Sequence, residues 1–198
     1  MSTATMPRST SQEYLATERA ASYKSDFIDG EVIPMSGASE AHNLISLSFG
    51  AELRRVFKGR KFRVYPSDMK VRSPRGSYTY PDLTVAGDNA MFEDGRRDIL
   101  LNPLLIVEVL SPSTEAHDRG RKFERYRAID SLQTYVLVSQ DHSAVEVYSR
   151  ESSGCWSMAA FHEGVVVIPN PTCEISIAEI YDQVDFTTAQ VTPEEADA

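Results

Sequence analysis

The chain has 198 residues, 41% hydrophobic and 25% charged, with ten glycines, ten prolines and a net charge of −9. Such a composition belongs to a folded domain with a sizeable core, and it excludes collagen-like, coiled-coil and wholly disordered chains. No apolar run approaches the ~18–20 residues of a transmembrane helix, the opening MSTATMPRST has no apolar secretory segment, and Cys155 and Cys173 fall in no disulfide or zinc spacing, so a cytoplasmic protein without membrane contact is expected.

Residues 1–12 are Ser/Thr-rich and expected to be flexible, 187–198 form an acidic tail expected to be disordered, and 13–186 read as one domain. Asp29-Gly30 joins two strand-like runs, Tyr23–Ile28 and Glu31–Met35, as a two-residue hairpin turn would. Ser39 offers an N-cap to a helix of about 18 residues whose stripe is Ile45, Phe49, Leu53 and Val56. Strands are predicted at Phe62–Tyr65, Met69–Arg72, Pro81–Ala86 and Leu104–Leu110. Ser113 is then expected to cap a second helix, Thr114–Ile129, with acids in its first turn and arginines toward its end. Gln133–Val138, Ala144–Tyr148, Trp156–Phe161 and Val165–Ile168 complete the strands. The order implies an α/β (α+β) domain, a mixed sheet flanked by two main helices with an N-terminal β-hairpin.

Charge is unevenly spread. Arg54 to Arg75 carries +8 and Arg119 to Arg127 carries +4, leaving −21 elsewhere. An acidic body with two basic stretches is compatible with local phosphate contacts and equally with two solvated faces.

Three residues look out of place. Glu108 interrupts the apolar run 104–110, on the same strand face as Ile106 and Leu110. An ionised carboxylate buried there costs several kcal/mol unless paired or bound to a cation. Asp82 follows Pro81 at the start of a strand, and Lys122 lies on the second helix with Tyr126 one turn on. An Asp, a Glu about 26 residues later and then a Lys on one sheet suit metal-assisted phosphodiester hydrolysis: two carboxylates and the Val109 carbonyl for Mg²⁺ or Mn²⁺, and an ammonium to orient water and offset charge. His42 falls in the first turn of the first helix, where a half-buried core role is the plainer reading.

Pro81-Asp82 followed by Glu108-Val109-Leu110 resembles the PD-(D/E)XK nuclease superfamily, whose common core is αβββαβ. The runs YKSDFIDGEVIPMSGAS, VYPSDMKVR, YTYPDLTV, LLIVEVLSPSTEAHDRGRKFERYR and TYVLVSQDHSAVEVY, over roughly residues 13–165, resemble its putative restriction endonuclease family in particular. The resemblance implies a restriction-endonuclease-like core and a metal-dependent endonuclease acting on DNA, commonly duplex, as a homodimer. It carries metal-ligand roles onto Asp82 and Glu108. Leu110 stands where the superfamily pattern has Lys, and similar members keep that Lys on the following helix, which maps to Lys122. His42 matches the family's own pattern, Glu31 and Tyr126 are auxiliary candidates, and Glu40 and Glu52 are candidates by location for the superfamily's first-helix acid. Leu110 also leaves open a catalytically degenerate module for DNA binding or assembly, and the two carboxylates could simply form a structural ion pair with Lys122.

Overall fold

The computed structural model describes residues 9–186; residues 1–8 and the whole acidic segment 187–198 lie outside the described residues. Helix α1 (Ser11–Glu18) opens on a capping box in which the Thr10 hydroxyl accepts from the Glu13 N–H and the Glu13 carboxylate accepts from the Thr10 N–H. The segment read as flexible to residue 12 is therefore helical from Ser11. The T-x-x-E spacing of Thr10 and Glu13, which signals such a cap, is present in the sequence.

Strands β1 (Ser25–Ile28) and β2 (Glu31–Pro34) form the expected hairpin, with Asp29 and Gly30 at φ 56° and 86°, as a two-residue turn of this hand requires. Helix α2 (Glu40–Val56) is capped by the Ser39 hydroxyl accepting from the His42 N–H. Six strands and a helical segment follow: β3 (Phe62–Pro66), β4 (Lys70–Arg72), β5 (Tyr78–Thr79), β6 (Leu83–Gly87), β7 (Ile99–Leu100), β8 (Leu105–Leu110), then α3 (Glu115–His117), a π-helical turn (Asp118–Lys122) and α4 (Phe123–Tyr126). The chain continues through β9 (Thr134–Ser139), β10 (Val145–Arg150), β11 (Trp156–Phe161), β12 (Val165–Pro169), β13 (Thr172–Ser176) and α5 (Ile177–Ile180).

A six-stranded mixed sheet has the order β11-β10-β9-β8-β6-β3, with only β8 and β9 parallel. Period-two alternation along β8 assigns its two faces. Leu105, Val107 and Val109 join Ile45, Phe49 and Leu53 of α2 in one core. Ile106 and Leu110 join Tyr126, Ile129, Leu132 and Tyr135 on the other side. Gly50 lets α2 approach closely, since a Cβ there would meet the Leu83 side chain at 3.1 Å. Leu53 is fully buried in the first core, so Leu53→Ala is expected to lower unfolding free energy by about 2–5 kcal/mol in a urea melt.

Two expectations are corrected. The strands do not form a single sheet: the hairpin, β5, β4 and β7 build a second sheet of order β2-β1-β5-β4-β7, and β12 and β13 a third of two strands. All four β1 residues are buried, because α1 packs Tyr14 against Phe27, Tyr78 and Ile99. The second helix is also not continuous over Thr114–Ile129. The chain turns from Ser111 to Thr114 without a Ser113 side-chain cap, and the helix widens at Asp118–Lys122. There the Tyr135 hydroxyl donates to the Asp118 carbonyl, a polar insertion of the kind that accompanies such widening.

Candidate active site

Pairing of β6 with β8 sets Leu83 opposite Val107, so Asp82, one residue earlier, stands across from Glu108. The Val109 N–H donates to Asp82 Oδ2 at 2.7 Å, fixing that carboxylate against β8. Glu108 Oε1 accepts from Lys122 Nζ at 3.2 Å and from the Tyr126 hydroxyl at 2.9 Å. Tyr126 is itself 2.8 Å from Thr79 Oγ1, which links the site to the second sheet. Lys122 Nζ is also 3.0 Å from Asp118 Oδ1 and 3.5 Å from Asp26 Oδ2. Glu108 and Asp118 are 2% exposed, Asp26 4% and Lys122 6%.

Asp26 and Asp118 were not singled out from the sequence. Asp26 sits in the strand SDFI, all four of whose residues are buried, but no apolar run around it in the sequence marks it out as Glu108 is marked. Its Oδ1 accepts from the Tyr80 N–H at 2.9 Å. Asp118 is four residues before Lys122, and its Oδ1 has no hydrogen-bond donor beyond the ammonium it faces. The π-helical turn carries both.

Four carboxyl groups thus share one ammonium and one imidazole. Burial pushes the Glu108 carboxyl well above the ordinary range; Lys122 opposes this, while the charges of Asp118, Asp82 and Asp26 add to it. Burial also raises Asp26, against Lys122 and the Tyr80 hydrogen bond. Burial alone would depress Lys122, but Glu108 and Asp26 outweigh it and the ammonium stays charged well above its usual range. His42 Nε2 lies 3.3 Å from Asp82 Oδ2, and although burial lowers its affinity for a proton, Asp82 more than compensates and raises it.

Asp26, His42, Asp82, Glu108, Asp118 and Lys122 all line one open cleft of about 1040 Å³, and Tyr126 backs Glu108 from behind. Glu31 does not join them: it is exposed on β2 and pairs with Arg121 at 2.9 Å. Glu40 and Glu52 also lie off the cleft, Glu52 being held by Arg55.

Much of the two basic stretches is neutralised at home. Arg119 pairs with Glu115 and Glu146, Arg121 with Glu31 and Asp29, Arg125 with Asp29 and Glu124, Arg72 with Glu93, and Arg75 with Glu124. Among the described residues of these stretches Arg54, Lys58, Arg60, Arg63 and Arg127 make no ion pair, Arg60 and Arg63 donating instead to the Thr172 and Asp88 carbonyls.

Among the described residues no group of three or more His, Cys, Asp or Glu side chains is placed to hold a metal ion by itself. Mg²⁺ does not need one, because it keeps several waters and is commonly held by one or two carboxylates. The donors suit such an ion: hard oxygens on Asp82, Glu108 and the Val109 carbonyl, in a pocket with excess buried carboxylate. No helix among the described residues is long and apolar enough to cross a membrane.

Comparison with known proteins places the chain in a family. Residues 11–179 match the family model Uma2, described as "Putative restriction endonuclease". Two Synechocystis sp. proteins are similar: "Uncharacterized protein sll1609", 38% identical over 148 residues (74% of this chain and 84% of that one), and "Uncharacterized protein slr1290", 34% identical over 154 residues (77% and 80%). A crystal structure from Anabaena variabilis, described as a putative nuclease belonging to DUF820, superposes with a TM-score of 0.72 at 19% identity, covering 87% of this chain and 97% of that one. The two sheets and the flanking helices have the restriction-endonuclease-like fold, and the chain belongs to the Uma2 family.

Proposed function

We propose that the protein is a divalent-metal-dependent endonuclease that hydrolyses DNA phosphodiester bonds at this cleft. The observation that carries the reading is the convergence of Asp82, Glu108 and Lys122, from three separate elements, on one cleft where carboxylates outnumber cations. The family match supports nuclease chemistry in general.

Asp82, Glu108 and the Val109 carbonyl would hold Mg²⁺ or Mn²⁺. When bound, the ion supplies Lewis-acid polarisation of the phosphoryl group and acidifies a water. The chain's own groups do the rest. The Val109 N–H holds Asp82 in place, while Tyr126 and Lys122 hold Glu108. Lys122, kept protonated by its acidic neighbours, offsets negative charge gathering on the phosphate and orients the attacking water. His42, hydrogen-bonded to Asp82, stands at the same cleft as a proton carrier or phosphate contact. A homodimer would bring two such sites to one DNA, and sedimentation at two concentrations reads that assembly directly.

One observation favours the non-catalytic reading: Lys122 is buried and held by three carboxylates, as a purely structural ion pair would be. Metal affinity separates the two. Calorimetric titration of Mn²⁺ into the purified chain, followed by plasmid nicking with and without chelator, is expected to show binding and chelator-sensitive nicking. Absence of both would leave a degenerate module for DNA binding or assembly.

A further inference from the structure

The cleft has a second character beyond its carboxylates. Its outer lining includes Tyr23 and Leu47, which are 62% and 72% exposed, together with Pro34 and Met35. Single exposed apolar residues need no explanation, but these four gather at one cleft. Lys24 and Lys122 are the only Lys or Arg side chains in that lining. Lys122 is buried among its carboxylates at the reacting centre, so Lys24 is the one Lys or Arg of that lining left to meet a phosphate away from it. It pairs with Asp68 at 2.5 Å, and Asp68 is a largely exposed partner whose hold on it is weak.

A duplex-reading surface needs several free cations spaced along a backbone, and the mouth of this cleft does not offer them. Arg119, Arg121 and Arg125 lie outside the lining and are paired with acids. Arg54 and Lys58 lie near the far end of α2, while the cleft lies at its start around His42 and Leu47. At 1.5 Å per residue, Arg54 is roughly 18 Å along the axis from His42. What this cleft presents is an exposed aromatic ring, an exposed aliphatic side chain and one cation in a common lining. Unpaired nucleotides bind through that combination, by base stacking with a local phosphate contact.

We propose that the DNA strand enters this cleft unpaired, with a base stacked on Tyr23 beside Leu47 and the adjoining phosphate taken by Lys24 in place of Asp68. The inference rests on the nuclease reading of the same site and names its substrate as single-stranded DNA, including flaps and melted ends. Base stacking on one aromatic ring accounts for a loss of about fivefold to more than a hundredfold on removal. One phosphate contact gives a salt slope near −0.7, against the much steeper slopes of duplex-binding proteins.

The test is fluorescence anisotropy of labelled oligodeoxythymidine and of a hairpin duplex of equal length, with Ca²⁺ replacing Mn²⁺ so that the probe stays intact. The wild type is expected to favour the single strand at least tenfold. Tyr23→Ala should lose at least fivefold while Tyr23→Phe retains binding, Lys24→Ala should flatten the salt dependence, and Asp68→Asn should tighten binding. Equal affinity for duplex, no measurable binding of either probe, or single-strand binding unchanged in Tyr23→Ala would overturn the proposal. Cleavage on the same preparations with Mn²⁺ distinguishes the two readings. Stacking-dependent binding without cleavage removes the nuclease and keeps this surface; duplex nicking indifferent to Tyr23→Ala does the reverse.

Discussion

Asp82→Asn is expected to reduce Mn²⁺-dependent nicking by about a thousandfold, because it removes a charged ligand from an ion whose contribution is several kcal/mol of transition-state stabilisation. The amide still offers an oxygen to the Val109 N–H, so β6 and β8 should stay in register and the melting temperature should move little. Calorimetry on the same variant should show Mn²⁺ affinity falling with the activity. Undiminished nicking with undiminished metal binding would remove Asp82 from the machinery and with it the metal-nuclease reading. The paired measurement matters because His42 touches the same carboxylate oxygen. Activity lost with metal affinity intact would instead assign Asp82 to holding that imidazole.

Lys122→Ala should be the most destabilising single change in the site. It leaves Glu108, Asp118 and Asp26 buried without their shared ammonium, and breaking a buried pair costs about 3–5 kcal/mol. The effect has a pH signature. Glu108 and Asp26 already hold their protons more tightly in the folded state than in the unfolded chain. Removing the cation strengthens that tendency, so the folded variant binds more protons than the unfolded one above the ordinary carboxylate range. Its stability therefore falls as pH rises through that range and recovers on acidification. Urea melts at pH 7 and pH 5 read this directly, with the deficit expected to shrink at pH 5. Adding Glu108→Gln should return part of the stability at pH 7 and none of the nicking. A Lys122→Ala variant as stable as wild type at both values would mean that the ammonium is not held as the geometry indicates.

Much of this site was legible in the chain because it depends on short-range patterning. Glu108 stands out against an apolar run, since a strand with both faces covered has no ordinary place for a carboxylate. The Asp29-Gly30 turn and the Ser39 cap were readable for the same local reason: one needs positive φ at two positions, the other an oxygen for an orphan N–H. Lys122 needed the resemblance, because a helical lysine is normally solvated and nothing in its neighbours shows it turning inward.

Local sequence determined the α+β class, the alternating faces of β8, the hairpin, and Glu108 as a residue out of place; the resemblance added Asp82 and Lys122 as the residues to watch with it. Periodicity and turn chemistry act over a few residues and survive whatever the rest of the chain does. The tertiary structure alone decided which groups meet those three. Asp26 reaches Lys122 from 96 positions earlier because the second sheet packs β1 beside the active centre, and the π-helical turn brings Asp118 to the same ammonium. It also decided the fate of the charge. Arg119, Arg121 and Arg125 read as a basic stretch, yet Glu146, Glu31 and Asp29 come from distant strands and turns to neutralise them. Coulombic pairing depends on distance in space, and a linear count of charges carries no distances.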